Sequence, residues 1–158
     1  MDKSRENHDA LRAAVAGCVG DSRAWDGLTA IFREVDERIR RVGAVCLGCG
    51  YCCRFALAGH RLYASTIELA ALLSGPPARV AGALECPYQQ GPACHARERR
   101  PLGCRTFFCR TPDAVTADLY ETAHAQIRHL HTSLGVPYFY VEMTAAIAEL
   151  RRLNADVP

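Results

Sequence analysis

At 158 residues, with 49% hydrophobic and 23% charged side chains, the chain has the make-up of one folded globular domain, which excludes a disordered or fibrous protein. A net charge of +2 is too close to neutral to argue for a nucleic-acid partner on electrostatic grounds alone, and no run approaches the roughly 20 apolar residues that span a bilayer. Nine cysteines follow a charged start, Met1-Asp2-Lys3-Ser4-Arg5-Glu6-Asn7, that leads into no secretory signal, so a reducing cytoplasmic compartment with free thiols is expected rather than a disulfide framework.

Residues 1–21 are read as an N-terminal stretch with the freedom to be flexible, and Cys18 as a small buried hydrophobe on a helical piece of it. From Trp25 to Val42 the apolar residues Trp25, Leu28, Phe32, Val35, Ile39 and Val42 recur three and four apart, which predicts an amphipathic helix capped by Ser22 and ended by Gly43. The cysteine-rich text starts immediately afterwards with Cys46-Leu47-Gly48-Cys49-Gly50-Tyr51-Cys52-Cys53, a loop whose two glycines permit tight turns. Short alternation over Arg54–Tyr63 suggests an extended segment. Ser65 and Glu68 have the spacing of a capping box at the start of a short helix over Thr66–Ser74, stopped by Gly75-Pro76-Pro77.

Between Pro76 and Pro112 the text is rich in Pro, Gly, Cys and Arg and has no period, so an external constraint such as metal ligation is expected to order it. A helical stripe returns with Val115, Leu119, Ala123, Ile127, Leu130 and Leu134 until Gly135 and Pro137, and a last helix is predicted over Glu142–Leu153. The expected architecture is mainly α, a small single domain over 1–158 with helices flanking an irregular cysteine-rich metal-binding centre at 46–110.

Eight of the nine cysteines fall between Cys46 and Cys109, spaced C-x2-C-x2-C-C and then C-x7-C-x9-C-x4-C. Thiolates are soft anionic donors that select zinc, copper(I) or iron–sulfur centres over magnesium or calcium. Cys46, Cys49 and Cys52 repeat the run that supplies three ligands to a 4Fe-4S cluster in ferredoxins, with Cys86-Pro87 as a remote fourth, so spacing favours an iron–sulfur cluster over zinc. Neighbouring side chains in an extended loop point opposite ways, so Cys52 and Cys53 are not expected to share one mononuclear site. If all eight cysteines are ligands, two four-sulfur sites are the natural division.

Arg54, Arg97, Arg99, Arg100, Arg105 and Arg110 lie close in sequence to the thiolates and are read as charge compensation. His95 is the histidine best placed to ligate, although exposure suits it better. His124, His129 and His131 are read as solvated helix residues. No phosphate loop, nucleophile elbow or zinc-protease motif occurs, so no catalytic residue is assigned.

These residues resemble the YkgJ-like cysteine cluster proteins, a zinc- or iron-chelating family with a CxxCxxCC signature. The resemblance rests on Cys46 to Cys53, on Cys86-Pro87 and Cys94, and on Arg100-Pro101-Leu102-Gly103-Cys104-Arg105 running to Cys109. It implies a binding set of Cys46, Cys49, Cys52, Cys53, Cys86, Cys94, Cys104 and Cys109, leaving Cys18 outside. One departure is His95-Ala96, where many relatives carry an aliphatic–Tyr pair. Flagellin lysine methylases carry a similar cluster in a longer chain. Three roles therefore stand open: an iron–sulfur or zinc protein in electron transfer, sensing or metal handling, with a protein partner; an iron–sulfur-dependent modifying enzyme; and a zinc-stabilised binding module.

Overall fold

A computed structural model describes residues 3–76 and 85–155, and it is mainly α. In chain order its elements are α1 (Lys3–Cys18), α2 (Ser22–Val42), α3 (Phe55–Ala58), β1 (Tyr63–Ser65), α4 (Thr66–Leu73), β2 (Gln89–Gln90), β3 (Ala93–Cys94), α5 (Leu102–Thr106), α6 (Asp113–Leu134), β4 (Tyr140–Glu142) and α7 (Met143–Ala155). Short 3-10 turns occupy Tyr51–Cys53 and Arg97–Arg99.

The core is built around α4. Every residue from Thr66 to Leu72 is buried, so this helix needs cover on all sides. The stretch before α2 lays Leu11, Val15 and Cys18 into the core as α1 packs on α4. Helix α2 packs along α6 and also touches α4 and α5.

The capping box at the start of α4 forms as expected: Ser65 Oγ accepts from the Glu68 amide while Glu68 Oε2 accepts from the Ser65 amide at 2.8 Å. Helix α4 ends at Leu73 with Ser74 as its cap, and Pro77 of the expected stop lies outside the described residues.

Several boundaries and faces differ from the sequence expectation. The cap of α2 is Asp21, whose side chain accepts from the Arg23 amide at 2.9 Å, and not Ser22, which is already the first helical residue. Trp25 and Val42 are 38% and 50% exposed, whereas Ala24 is buried with Leu28, Phe32, Val35 and Ile39.

On α6 the buried row is Thr116, Leu119, Ala123, Ile127 and His131, almost entirely four apart. Val115 is exposed, and Leu130 and Leu134 only flank the core. The segment read as extended over Arg54–Tyr63 instead contains the single turn α3, which buries Phe55 and ends at Gly59; only Tyr63 enters a strand.

There are two small antiparallel pairings, of which β2–β3 holds the segment of Cys94. Strand β1 pairs with β4, Tyr63 opposite Glu142, and β2 pairs with β3, Gln89 opposite Cys94. No described helix is long and apolar enough to cross a membrane.

Candidate metal centre

The first cysteine segment is a turn, not an extended loop. Gly50, at φ +70°, precedes the 3-10 turn Tyr51–Cys53, whose geometry sets successive side chains about 120° apart instead of 180°. That corrects the expectation that the Cys52 and Cys53 side chains point opposite ways: both line one cavity, and their thiols are in hydrogen-bond contact.

Gln89, itself buried, donates from Nε2 to the carbonyls of Gly50 and Gly91, each at 3.0 Å. The Cys86 amide donates to the Cys53 carbonyl at 3.1 Å. The second cysteine segment is thereby pinned to the first through backbone groups.

The third segment is held by two charged side chains. Glu68 uses its second carboxylate oxygen to accept from the Leu102 amide at 2.8 Å, fixing the start of α5 and so the position of Cys104. Arg105, 4% exposed, donates to Asp36 Oδ2 at 2.6 Å and to the carbonyls of Arg100 and Glu98, with its guanidinium 4.0 Å over the Phe32 ring. The order of residues 85–112, expected to depend on metal, thus has protein sources.

The centre is a cavity of about 350 Å³ lined by six of the eight cysteines: Cys46, Cys52, Cys53, Cys86, Cys94 and Cys104. Phe55, Leu62, Leu72, Tyr88, Phe107 and Met143 supply much of the remaining wall. Cys49 and Cys109 are exposed, lie outside this cavity and contact each other, with Cys52 close to Cys109. Six of the eight thiols thus line the cavity and two lie outside it. Among the described residues no three cysteine, histidine or carboxylate side chains stand together as a ready-made ion site.

Crowding favours neutral thiols. Hydrogen bonding to Cys53 and then burial raise the Cys52 pKa strongly. Cys53 is drawn down by its contact with Cys52, but hydrogen bonding to Cys86, burial and the nearby Cys86 and Cys94 push it up to about 12. Cys104, half-buried by surface area yet enclosed by neighbouring groups, is raised first by burial and then by Cys53 and Cys94, with Arg100 opposing. At Cys109, partial desolvation and hydrogen bonding to Cys49 act the same way. A cation that binds here must displace these protons, so the donor set suits a strong thiophilic acceptor and couples binding to pH.

Of the arginines expected to compensate charge, Arg97 and Arg100 line the cavity. Arg54 and Arg110 are exposed, and Arg105 is committed to Asp36. Arg99 lies against Gly75, where a Cβ would come within 1.9 Å of its Nη1.

His95 is exposed, with its backbone amide bonded to the Tyr88 carbonyl, while Ala96 is buried beside the cavity. Cys18 is a buried hydrophobe away from the centre, its pKa raised by burial and then by Asp21.

His131 corrects the reading of solvated helix histidines. It is 1% exposed, its Nδ1 donates to the Ile127 carbonyl at 2.9 Å, and its Nε2 accepts from the Ile67 amide at 3.3 Å, satisfying a free donor in the first turn of α4.

His60, which lines the cavity, carries no local signal, standing seven residues beyond Cys53 with no cysteine beside it. Gln89 carried no signal either, since its partners are backbone carbonyls that only the folded chain brings near. No family model, characterised protein or solved structure matches this chain.

Proposed function

We propose that this protein holds a polynuclear thiolate metal centre, an iron–sulfur cluster of 4Fe-4S type in preference to zinc, and works in electron transfer, sensing or metal handling in a reducing compartment. The observation that carries the reading is the convergence of Cys46, Cys52, Cys53, Cys86, Cys94 and Cys104 on one cavity. Six soft donors exceed the four that either a mononuclear zinc site or a single 4Fe-4S cluster takes, and the preference for iron–sulfur rests on the C-x2-C-x2-C spacing of Cys46, Cys49 and Cys52. The resemblance to the YkgJ-like proteins points the same way. An iron–sulfur cluster would supply one-electron chemistry; the chain's own part is to supply thiolates, exclude water with Phe55, Leu62 and Met143, and offset charge through Arg97 and Arg100.

The test is purification without air, a visible spectrum, and analysis of iron, sulfide and zinc. A brown protein with iron and acid-labile sulfide is expected. Colourless protein carrying zinc would remove the iron–sulfur claim, and protein that retains neither metal would remove the whole reading.

A second reading, an iron–sulfur-dependent modifying enzyme resembling flagellin lysine methylases, is favoured by a separate groove of about 360 Å³ that shares Cys46, Arg97 and Arg100 with the cavity. It predicts a mass shift in a lysine peptide incubated with metal-loaded protein and a methyl donor; an unchanged peptide counts against it.

A further inference from the structure

The sulfur donors leave one cavity group without a use. The His60 ring lines the cavity and is held between Phe55, centroids 5.5 Å apart in an edge-on contact, and Phe107, 4.8 Å away. Its Nδ1 is sealed from solvent and has no hydrogen-bond partner among the described residues. A buried polar nitrogen with nothing to bond is unfavourable, and native interiors seldom keep one. In a pocket walled by thiols the missing partner has an obvious chemical class, a metal ion.

We infer that His60 supplies a nitrogen ligand, so that the centre is a mixed sulfur–nitrogen site with His60 beside the six cysteines that line the cavity. The inference rests on the metal-binding reading above.

Charge gives an independent reason. Each cysteine that ligates brings a negative charge, and the cations lining the cavity are Arg97 and Arg100. A neutral imidazole adds a bond to zinc, iron or copper without adding to that excess. In an iron–sulfur centre, replacing thiolate by imidazole also raises the reduction potential. The two phenylalanines restrict the ring's rotation, which holds a donor ready without consuming a hydrogen bond.

The competing role is packing alone, and His60→Phe separates the two because it keeps an aromatic ring and removes the nitrogen. Full-length protein is loaded anaerobically with zinc(II) alone and examined by X-ray absorption at the metal edge; protein that arrives with iron is examined at the iron edge. Wild type is expected to show a nitrogen shell at about 2.0–2.1 Å, with the outer scattering of an imidazole, beside sulfur at about 2.3 Å. In His60→Phe the nitrogen shell disappears and zinc affinity falls at least about tenfold, while the metal-free variant melts no lower than wild type. His60→Gln serves if the phenylalanine variant does not fold, and His95→Ala leaves the shell intact. Wild type that retains metal in an all-sulfur shell, or a nitrogen shell that persists without His60, overturns the assignment and leaves the metal reading standing. Wild type that retains no metal overturns both.

Discussion

Replacing Glu68 tests whether one buried carboxylate joins the scaffold to the third cysteine segment. Glu68 is 2% exposed, and its two oxygens accept from the Ser65 and Leu102 amides, each at 2.8 Å. A hydrogen bond to a charged group contributes about 1.5–3 kcal/mol. Glu68→Ala removes two and strands two buried amides, so a loss of about 3–5 kcal/mol is expected, a large part of the roughly 5–15 kcal/mol that holds a typical domain together.

Glu68→Gln keeps one acceptor oxygen but presents an NH₂ to the other amide, and about 1–3 kcal/mol should be lost. Urea unfolding followed by helical circular dichroism on metal-free protein measures both. The order wild type, Gln, Ala is the signature. A glutamine variant within about 0.5 kcal/mol of wild type, or an alanine variant losing less than about 1 kcal/mol, would refute the bridging role.

Two further perturbations follow from the same coordinates. Burial holds the His131 pKa below its ordinary 6.5, with the hydrogen bond to Ile127 opposing, so the neutral ring's contribution is complete above pH 6.5 and is lost as pH falls through the lowered native value. The urea midpoint should decline on that acid side in wild type and decline less in His131→Gln; parallel declines would sink the assignment. The two glycines of the first cysteine segment should respond unequally. Gly48→Ala, at φ +63° in open space, should cost about 1–2 kcal/mol for its left-handed backbone alone. Gly50→Ala, at φ +70° with its Cβ 2.6 Å from Gln89 Nε2 and 3.1 Å from Pro92 Cα, should cost about 3 kcal/mol or more and lower metal uptake. Equal effects in a thermal melt would contradict the crowding at Gly50.

Features governed by local rules were legible along the chain alone. Apolar spacing marked α2 and α6, Gly43 and Gly135 ended them, and Ser65 with Glu68 marked the start of α4, because caps and helical stripes depend on residues three or four apart. The mainly helical architecture around a cysteine-rich middle followed from those elements. The cysteine run was equally visible, since eight thiols in one stretch are a matter of composition and spacing.

Tertiary structure decided how the thiols are grouped and what surrounds them. The 3-10 turn that brings Cys52 and Cys53 to one side depends on Gly50 being pinned by Gln89, and Cys104 is positioned by a hydrogen bond from the Leu102 amide to Glu68, 34 residues earlier. His131 became a buried donor–acceptor because α6 meets the start of α4, and Arg105 became a clamp because α2 offers Asp36 and Phe32. His60 joined the cavity by packing between two phenylalanines 52 residues apart in sequence. Each of these depends on groups remote along the chain, and local spacing carries no record of which remote groups will meet.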